Sequence, residues 1–208
     1  MSPLAVGITG GIGGGKTQAA RIFKKLGATV LFADRIASEL IDSREEIRER
    51  IQHALGRSAL FPDGRLNRKK VAELVFSDHH LRRKLDSIVH PFVLRSIRER
   101  IAHFKAQARS PLIMVEAALL FEARAISMFD YVIVVDAPED VRMRRVMGRD
   151  GSARPEVLRR IKAQLPAEHK TARADFVIYN GGDLAVLEKN CRFLHRILIE
   201  LASHPPTP

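Results

Sequence analysis

One cysteine, two tyrosines and no tryptophan are all that 208 residues contain of these types. A lone Cys191 excludes an intrachain disulfide and suits a reducing compartment. Two tyrosines and ten phenylalanines, most at core spacing, leave little for stacking on bases, and no nucleic-acid motif appears. No apolar run reaches membrane-spanning length, because Glu116 and Glu122 interrupt the longest candidate. The N-terminus lacks a basic stretch followed by an apolar one, so no secretory leader is expected. The expectation is a soluble cytoplasmic protein with no membrane or nucleic-acid partner, as a monomer or weak homo-oligomer. With 46% hydrophobic and 28% charged residues, the chain has an ordinary globular composition and needs no staples.

Charge is the unusual bulk property. The net charge of +11 is concentrated in two segments: residues 44–109 carry +8 and residues 142–173 carry +7, while the rest is net acidic. Such fields steer polyanions, whether nucleic acid or a phosphate-rich small molecule.

Gly10-Gly11-Ile12-Gly13-Gly14-Gly15-Lys16-Thr17 follows the apolar run Leu4–Thr9 and precedes a helix-forming stretch. It fits the phosphate-binding P-loop pattern at every fixed position, in the required strand–loop–helix context. Glycines let the backbone turn sharply and bring N–H groups close to phosphate oxygens. The helix start adds its positive dipole end. Lys16 can reach the β- and γ-phosphates and the Thr17 hydroxyl can ligate Mg²⁺. A nucleoside triphosphate is therefore the expected ligand.

Further along, Thr29–Ala33 reads as a buried strand with Asp34 at its carboxyl end, where open α/β sheets bind ligands. Asp34 is equally suited to cap a helix over 35–40. From Arg44 to Arg109 only helical spacing is seen, with a turn at Phe61–Arg65 and a break expected at His90-Pro91. His90 reads either as a packed histidine closing a helix or as a substrate contact. Strands return at 112–115, ending near Glu116, at 130–136 and at 175–179. Between them a helix carries Arg142, Arg145 and Arg149 on one face, either a solvated basic face or a lid over phosphates. A closing helix capped by Asp183 directs Leu184, Leu187, Phe193, Leu194, Ile197 and Leu198 to the core, and the tail 204–208 is expected to be disordered.

Taken together, Ile8–Thr17, Ala33-Asp34-Arg35-Ile36-Ala37, Ile88–Pro91, Leu119–Glu122, Arg145 with Arg149-Asp150, Arg160-Ile161 with Gln164, and Ala174–Gly181 resemble the dephospho-coenzyme A kinase family over nearly the full length. The resemblance implies an α/β fold: a P-loop three-layer αβα core with a roughly five-stranded parallel sheet. The core would comprise residues 1–43, 110–137 and 174–203, with a helical acceptor-binding insertion over 44–109 and a helical lid over 138–173. It also implies ATP with Mg²⁺, and transfer of the γ-phosphoryl group to the 3′-hydroxyl of dephospho-coenzyme A.

By position, the resemblance gives Asp34, Lys16 and Arg145 catalytic roles. It assigns Gly11, Gly13, Gly14, Gly15, Lys16, Thr17, Gln18, Arg149 and Asn180 to the nucleotide. Asp34, Arg68, His90, Leu119 and Glu122 go to the acceptor, and Thr17 to the metal. The chain departs from the family pattern at Gly14 (a serine in the family), at Lys16-Thr17-Gln18 (Lys-Ser-Thr) and at Phe32 (the first acid of an Asp-x-Asp pair). It also departs at Ser38 (a histidine) and Ala118 (a proline). Alternatives are a P-loop kinase for another nucleotide or nucleoside, a nucleotide-dependent nucleic-acid-binding protein, and a non-catalytic relative.

Overall fold

The computed structural model describes residues 3–204, so of the expected disordered tail only His204 falls within the described residues. Strands β1 (Leu4–Thr9), β2 (Thr29–Phe32), β3 (Leu112–Glu116), β4 (Tyr131–Asp136) and β5 (Phe176–Tyr179) form one sheet in the order β2-β3-β1-β4-β5. Every pairing is parallel. The central strand β1 and its neighbour β3 are buried along their whole length, as parallel strands covered on both faces must be. Helices flank the sheet, which is the expected P-loop αβα arrangement. Among the described residues no helix is long and apolar enough to cross a membrane.

The chain divides into two compact units, residues 1–32 with 100–208 and residues 33–99. In the first, alternation along β1 sends Leu4, Val6 and Ile8 to one face of the sheet. There they join Ala19, Ala20 and Phe23 of α1 (Lys16–Lys25) and Leu187, Cys191, Leu194 and Leu198 of α9 (Leu184–Ser203). On the other face Val132 and Val134 pack with Phe121. Gly7 lies so close that an added Cβ would be 2.8 Å from Leu120 and 3.0 Å from Phe129.

The closing helix differs from expectation at two residues: Leu184 and Phe193 are exposed by 51% and 59%. The buried stripe is Leu187, Cys191, Leu194, Leu198 and Ala202, and residue 193 falls off that 3–4 spacing. Asp183 caps the helix as expected, its Oδ1 accepting the Val186 N–H at 2.9 Å. Three further helices, α6 (Glu139–Asp150), α7 (Arg154–Lys162) and α8 (Ala167–Thr171), belong to this unit.

The second unit contains α2 (Ala33–Ser43), α3 (Glu45–Leu55), α4 (Arg68–Ser77) and most of α5 (His79–Gln107). Two expectations are corrected here. Helix α5 runs through Pro91 without a break. Proline removes only one rung of the ladder, and the buried stripe Val89, Val93 and Ile97 holds the helix together across it. His90 therefore sits mid-helix and closes nothing. In addition, β2 ends at Phe32 and α2 starts at Ala33, so Asp34 is in the first helical turn rather than at the cap.

Candidate active site

The loop between β1 and α1 is shaped by contacts that only glycine permits. Gly10, Gly13 and Gly15 have φ of +147°, +77° and +99°, where L side chains are strained. A Cβ at Gly10 would overlap the Val135 carbonyl oxygen, and one at Gly14 would lie 2.7 Å from the same oxygen. The loop thus rests directly on the carboxyl end of β4. Within it the Gly14 N–H donates to the Gly11 carbonyl at 3.0 Å. Helix α1 begins behind Gly15 with no side-chain cap and no acidic residue in its first turn. The positive end of the helix thus faces the loop without a side-chain cap, the arrangement that suits an anion.

Lys16 Nζ donates to the Gly11 carbonyl at 3.2 Å, so the ammonium is already folded back over the loop. The Thr17 hydroxyl donates to Glu116 Oε1 at 3.4 Å. Glu116 is the buried last residue of β3, in register with Ile8 on one side and Phe32 on the other. Phe32 therefore brings an apolar ring, where the family pattern has an acid, beside the carboxylate that meets Thr17. A hydroxyl and a carboxylate are hard oxygen donors of the kind Mg²⁺ takes when nucleotide phosphates complete its shell. Among the described residues no cluster of three or more His, Cys, Asp or Glu could hold a metal alone. Thr17 and Glu116 thus fit an ion shared with a nucleotide. Glu116 was legible only as a carboxylate at a strand end; its partner required the fold.

Asn180 and Gln164 fasten the loop from outside. Asn180 is buried and donates from Nδ2 to the Gly14 carbonyl at 2.8 Å. Gln164, just beyond α7, accepts the Ile12 N–H on its Oε1 at 2.8 Å.

The three arginines expected to share one face of α6, solvated or forming a lid, differ sharply. Arg142 is buried against the loop: its carbonyl oxygen would be 2.5 Å from a Cβ at Gly13, and its Nη1 would overlap one at Gly11. Arg145 is half-buried and donates from Nη2 to the Gly182 carbonyl at 3.2 Å, while its buried Nη1 has no hydrogen-bond partner. Arg149 is held by Asp150, at 2.6 and 3.1 Å, and Arg160 reaches the same carboxylate at 2.9 Å. The Arg149 hydrogen bond, then that of Arg160, holds the Asp150 carboxyl down at about 2. The reason for the difference is helical geometry: α6 packs Met143 and Val146 inward, and position 142 borders that stripe whereas 149 lies on the exposed last turn.

Leu119 and Glu122 lie in the turn after β3. Glu122 Oε1 accepts the Leu165 N–H at 3.2 Å and stands 2.8 Å from Nζ of the fully buried Lys170, an ion pair out of line for a hydrogen bond. Its carboxylate is thus engaged by the segment around α8.

In the second unit, Asp34, Ser38 and Asp42 succeed one another at four-residue spacing along one face of α2. Arg68 meets that face, donating from Nη2 to both carboxylate oxygens of Asp42 at 2.9 Å and from Nη1 to the Ser38 hydroxyl at 3.4 Å. Asp34 itself is exposed. Arg68, Arg48 and Asp42 border a cleft of about 450 Å³. His90 is one turn from Asp86, with Nε2 to Oδ1 at 3.8 Å.

Known proteins share this chain's sequence and fold. A relative from Syntrophotalea carbinolica, a dephospho-CoA kinase, is 41% identical over 181 residues, covering 87% of this chain and 85% of its own. A solved structure from Thermus thermophilus superposes with a TM-score of 0.77 at 37% identity, covering 97% of this chain and 99% of that one. The dephospho-CoA kinase of Campylobacter jejuni gives 0.71 at 26% identity, over 94% and 97%. The family model described as dephospho-CoA kinase matches residues 4–185. With a match over most of its length, this chain is a member of the dephospho-CoA kinase family.

Proposed function

We propose that this protein transfers the γ-phosphoryl group of ATP to the 3′-hydroxyl of dephospho-coenzyme A, giving coenzyme A and ADP. The observation that carries the reading is the uncapped glycine-rich start of α1, with Lys16 and the Thr17–Glu116 pair beside it, in a chain of this family. The ATP phosphates lie along the amides of Gly13 to Gln18, with Lys16 at their β/γ end. Thr17 and Glu116 would hold Mg²⁺, which when bound would supply charge neutralisation on the phosphate oxygens. Arg145 and Arg149, in the lid over 138–173, stabilise charge that develops on the transferred group. Asn180 supports the loop from behind.

On the acceptor side, the insertion over 44–109 holds dephospho-coenzyme A through Arg68 and His90. Asp34 orients the 3′-hydroxyl and receives its proton as the oxygen bonds to γ-phosphorus. The bond from that phosphorus to the β–γ bridging oxygen breaks, and ADP leaves with the electron pair. The enzyme works in the cytoplasm as a monomer or weak homo-oligomer.

The test is ADP release from Mg-ATP with dephospho-coenzyme A, AMP, adenosine or no acceptor. Turnover only with dephospho-coenzyme A is expected. Turnover with adenosine or AMP alone points instead to a kinase for another acceptor, and none with any acceptor means a diverged function.

A further inference from the structure

Arg142 stands apart from every other cation of the lid region. Only 8% of its surface is exposed, and its Nε is buried with no hydrogen-bond partner. Among the described residues no carboxylate pairs with it: Asp140 is taken by Arg144, Asp150 by Arg149 and Arg160, and Asp136 forms no ion pair with it. A guanidinium taken out of water without a counter-charge is costly, so proteins rarely keep one unless an anion arrives.

Its location says which anion. The Arg142 guanidinium packs on Gly11, and Lys16 Nζ donates to the carbonyl of that same Gly11 at 3.2 Å. Two cations thus converge on one peptide unit of the phosphate loop. Of the two, Arg142 is the one buried without a carboxylate partner, and an anion arriving at this end of the loop would supply it. The neutral polar group on this side, the Gln164 amide oxygen, is already used by the Ile12 N–H.

We propose that Arg142 is a phosphate-sensing residue of the nucleotide site: its missing counter-charge is the terminal phosphate of the bound nucleoside triphosphate. This rests on the reading of the loop as the ATP site and adds a residue to it. The chain keeps an uncompensated charge in the free protein and is repaid when the triphosphate binds. Arg142 therefore reads the number of phosphates, favouring ATP over ADP and ADP over AMP.

The experiment measures thermal midpoints without nucleotide, and dissociation constants for ATP, ADP and AMP, on the wild-type protein, Arg142→Met and Arg142→Lys, with no acceptor present. Arg142→Met is expected to raise the nucleotide-free midpoint by about 2–4 °C, since it deletes an unpaired buried charge of similar volume. It is expected to weaken ATP by about tenfold, ADP by less and AMP by under about twofold, the scale of one charge-assisted contact. Arg142→Lys should keep most of the ATP preference. If Arg142→Met lowers the midpoint or fails to fold, or if all three nucleotides weaken equally, the residue is only packing and the proposal fails. A wild-type protein that binds ATP while Arg142→Met keeps its ATP-to-AMP ratio sinks this inference alone. One that binds no nucleotide sinks the ATP-site reading as well.

Discussion

Asn180 Nδ2 donates to the Gly14 carbonyl at 2.8 Å, while the Asn180 backbone N–H donates to the Asp136 carbonyl at 2.6 Å. One residue after β5 thus fastens the phosphate loop to the end of β4. Its side-chain amide is occupied by Gly14, so any effect of Asn180 on a bound nucleotide runs through the loop. Asn180→Ala leaves a buried carbonyl unsatisfied and is expected to cost about 1–3 kcal/mol. The ATP KM should rise with kcat little changed. Urea denaturation and initial rates check both, and a variant as stable as wild type would show that the bond contributes nothing.

Gly15 faces the same amide. A methyl there would overlap Asn180 Nδ2 at a φ of +99°. Gly15→Ala is expected to abolish ATP binding, read by titration calorimetry, while Gly64→Ala, at a positive φ with open space around it, should cost stability of about 1 kcal/mol and leave ATP affinity intact.

Asp34 is the acceptor-side prediction. Asp34→Asn should lower kcat by about 10²–10⁴, the usual weight of a general base, without moving the ATP dissociation constant. Its place in the first turn of α2 adds about 0.5 kcal/mol of helix-dipole stabilisation, lost in the same variant. A kcat within threefold of wild type would remove Asp34 from the chemistry.

The Glu122–Lys170 pair gives a stability test independent of activity. Glu122→Gln strands a fully buried ammonium and should cost about 3 kcal/mol, whereas Lys170→Met with Glu122→Gln should recover most of it. A thermodynamic cycle over the two single and the double variant gives the coupling. Additive effects would mean the pair is not an ion pair in solution.

Acid should loosen the end of α6. Asp150 has its carboxyl lowered from 3.8 to about 2, first by the Arg149 hydrogen bond and then by Arg160. A depressed native value means the carboxylate contributes stability that is complete above about pH 4 to 5 and is lost as pH falls towards 2. The midpoint difference between wild type and Asp150→Asn should therefore be constant from pH 8 to 5 and shrink below pH 4. A gap undiminished at pH 2.5 would contradict the arginine clamp.

The strands, the P-loop and the cap at Asp183 were legible because each is written in local chemistry: apolar β-branched runs, glycines before Lys-Thr, an aspartate before an apolar stripe. What failed was decided by neighbours. Pro91 looked like a stop, yet Val89, Val93 and Ile97 carry the helix past it. Arg142 looked equivalent to Arg145 and Arg149 on one helix face, and only the approach of α6 to Gly11 and Gly13 separates it from Arg149. Gln164 gave no local signal of its bond to Ile12, a partner 152 positions away. Glu116 was visible as a carboxylate at a strand end, whereas its pairing with Thr17 depends on β3 lying beside β1.

The strand order has a kinetic consequence. Because β1 lies between β3 and β4, its amides are inner-strand amides, freed for hydrogen exchange only when this unit opens as a whole. The loop that β1 carries ends in amides with no strand partner, which exchange through local motions. Nucleotide at a hundredfold excess over its dissociation constant adds about 2.7 kcal/mol to the native state. Val6, Gly7 and Ile8 should then exchange about a hundred times more slowly without any change in their own surroundings. The protected protons of the central strand thus become a meter for occupancy of the loop that follows it.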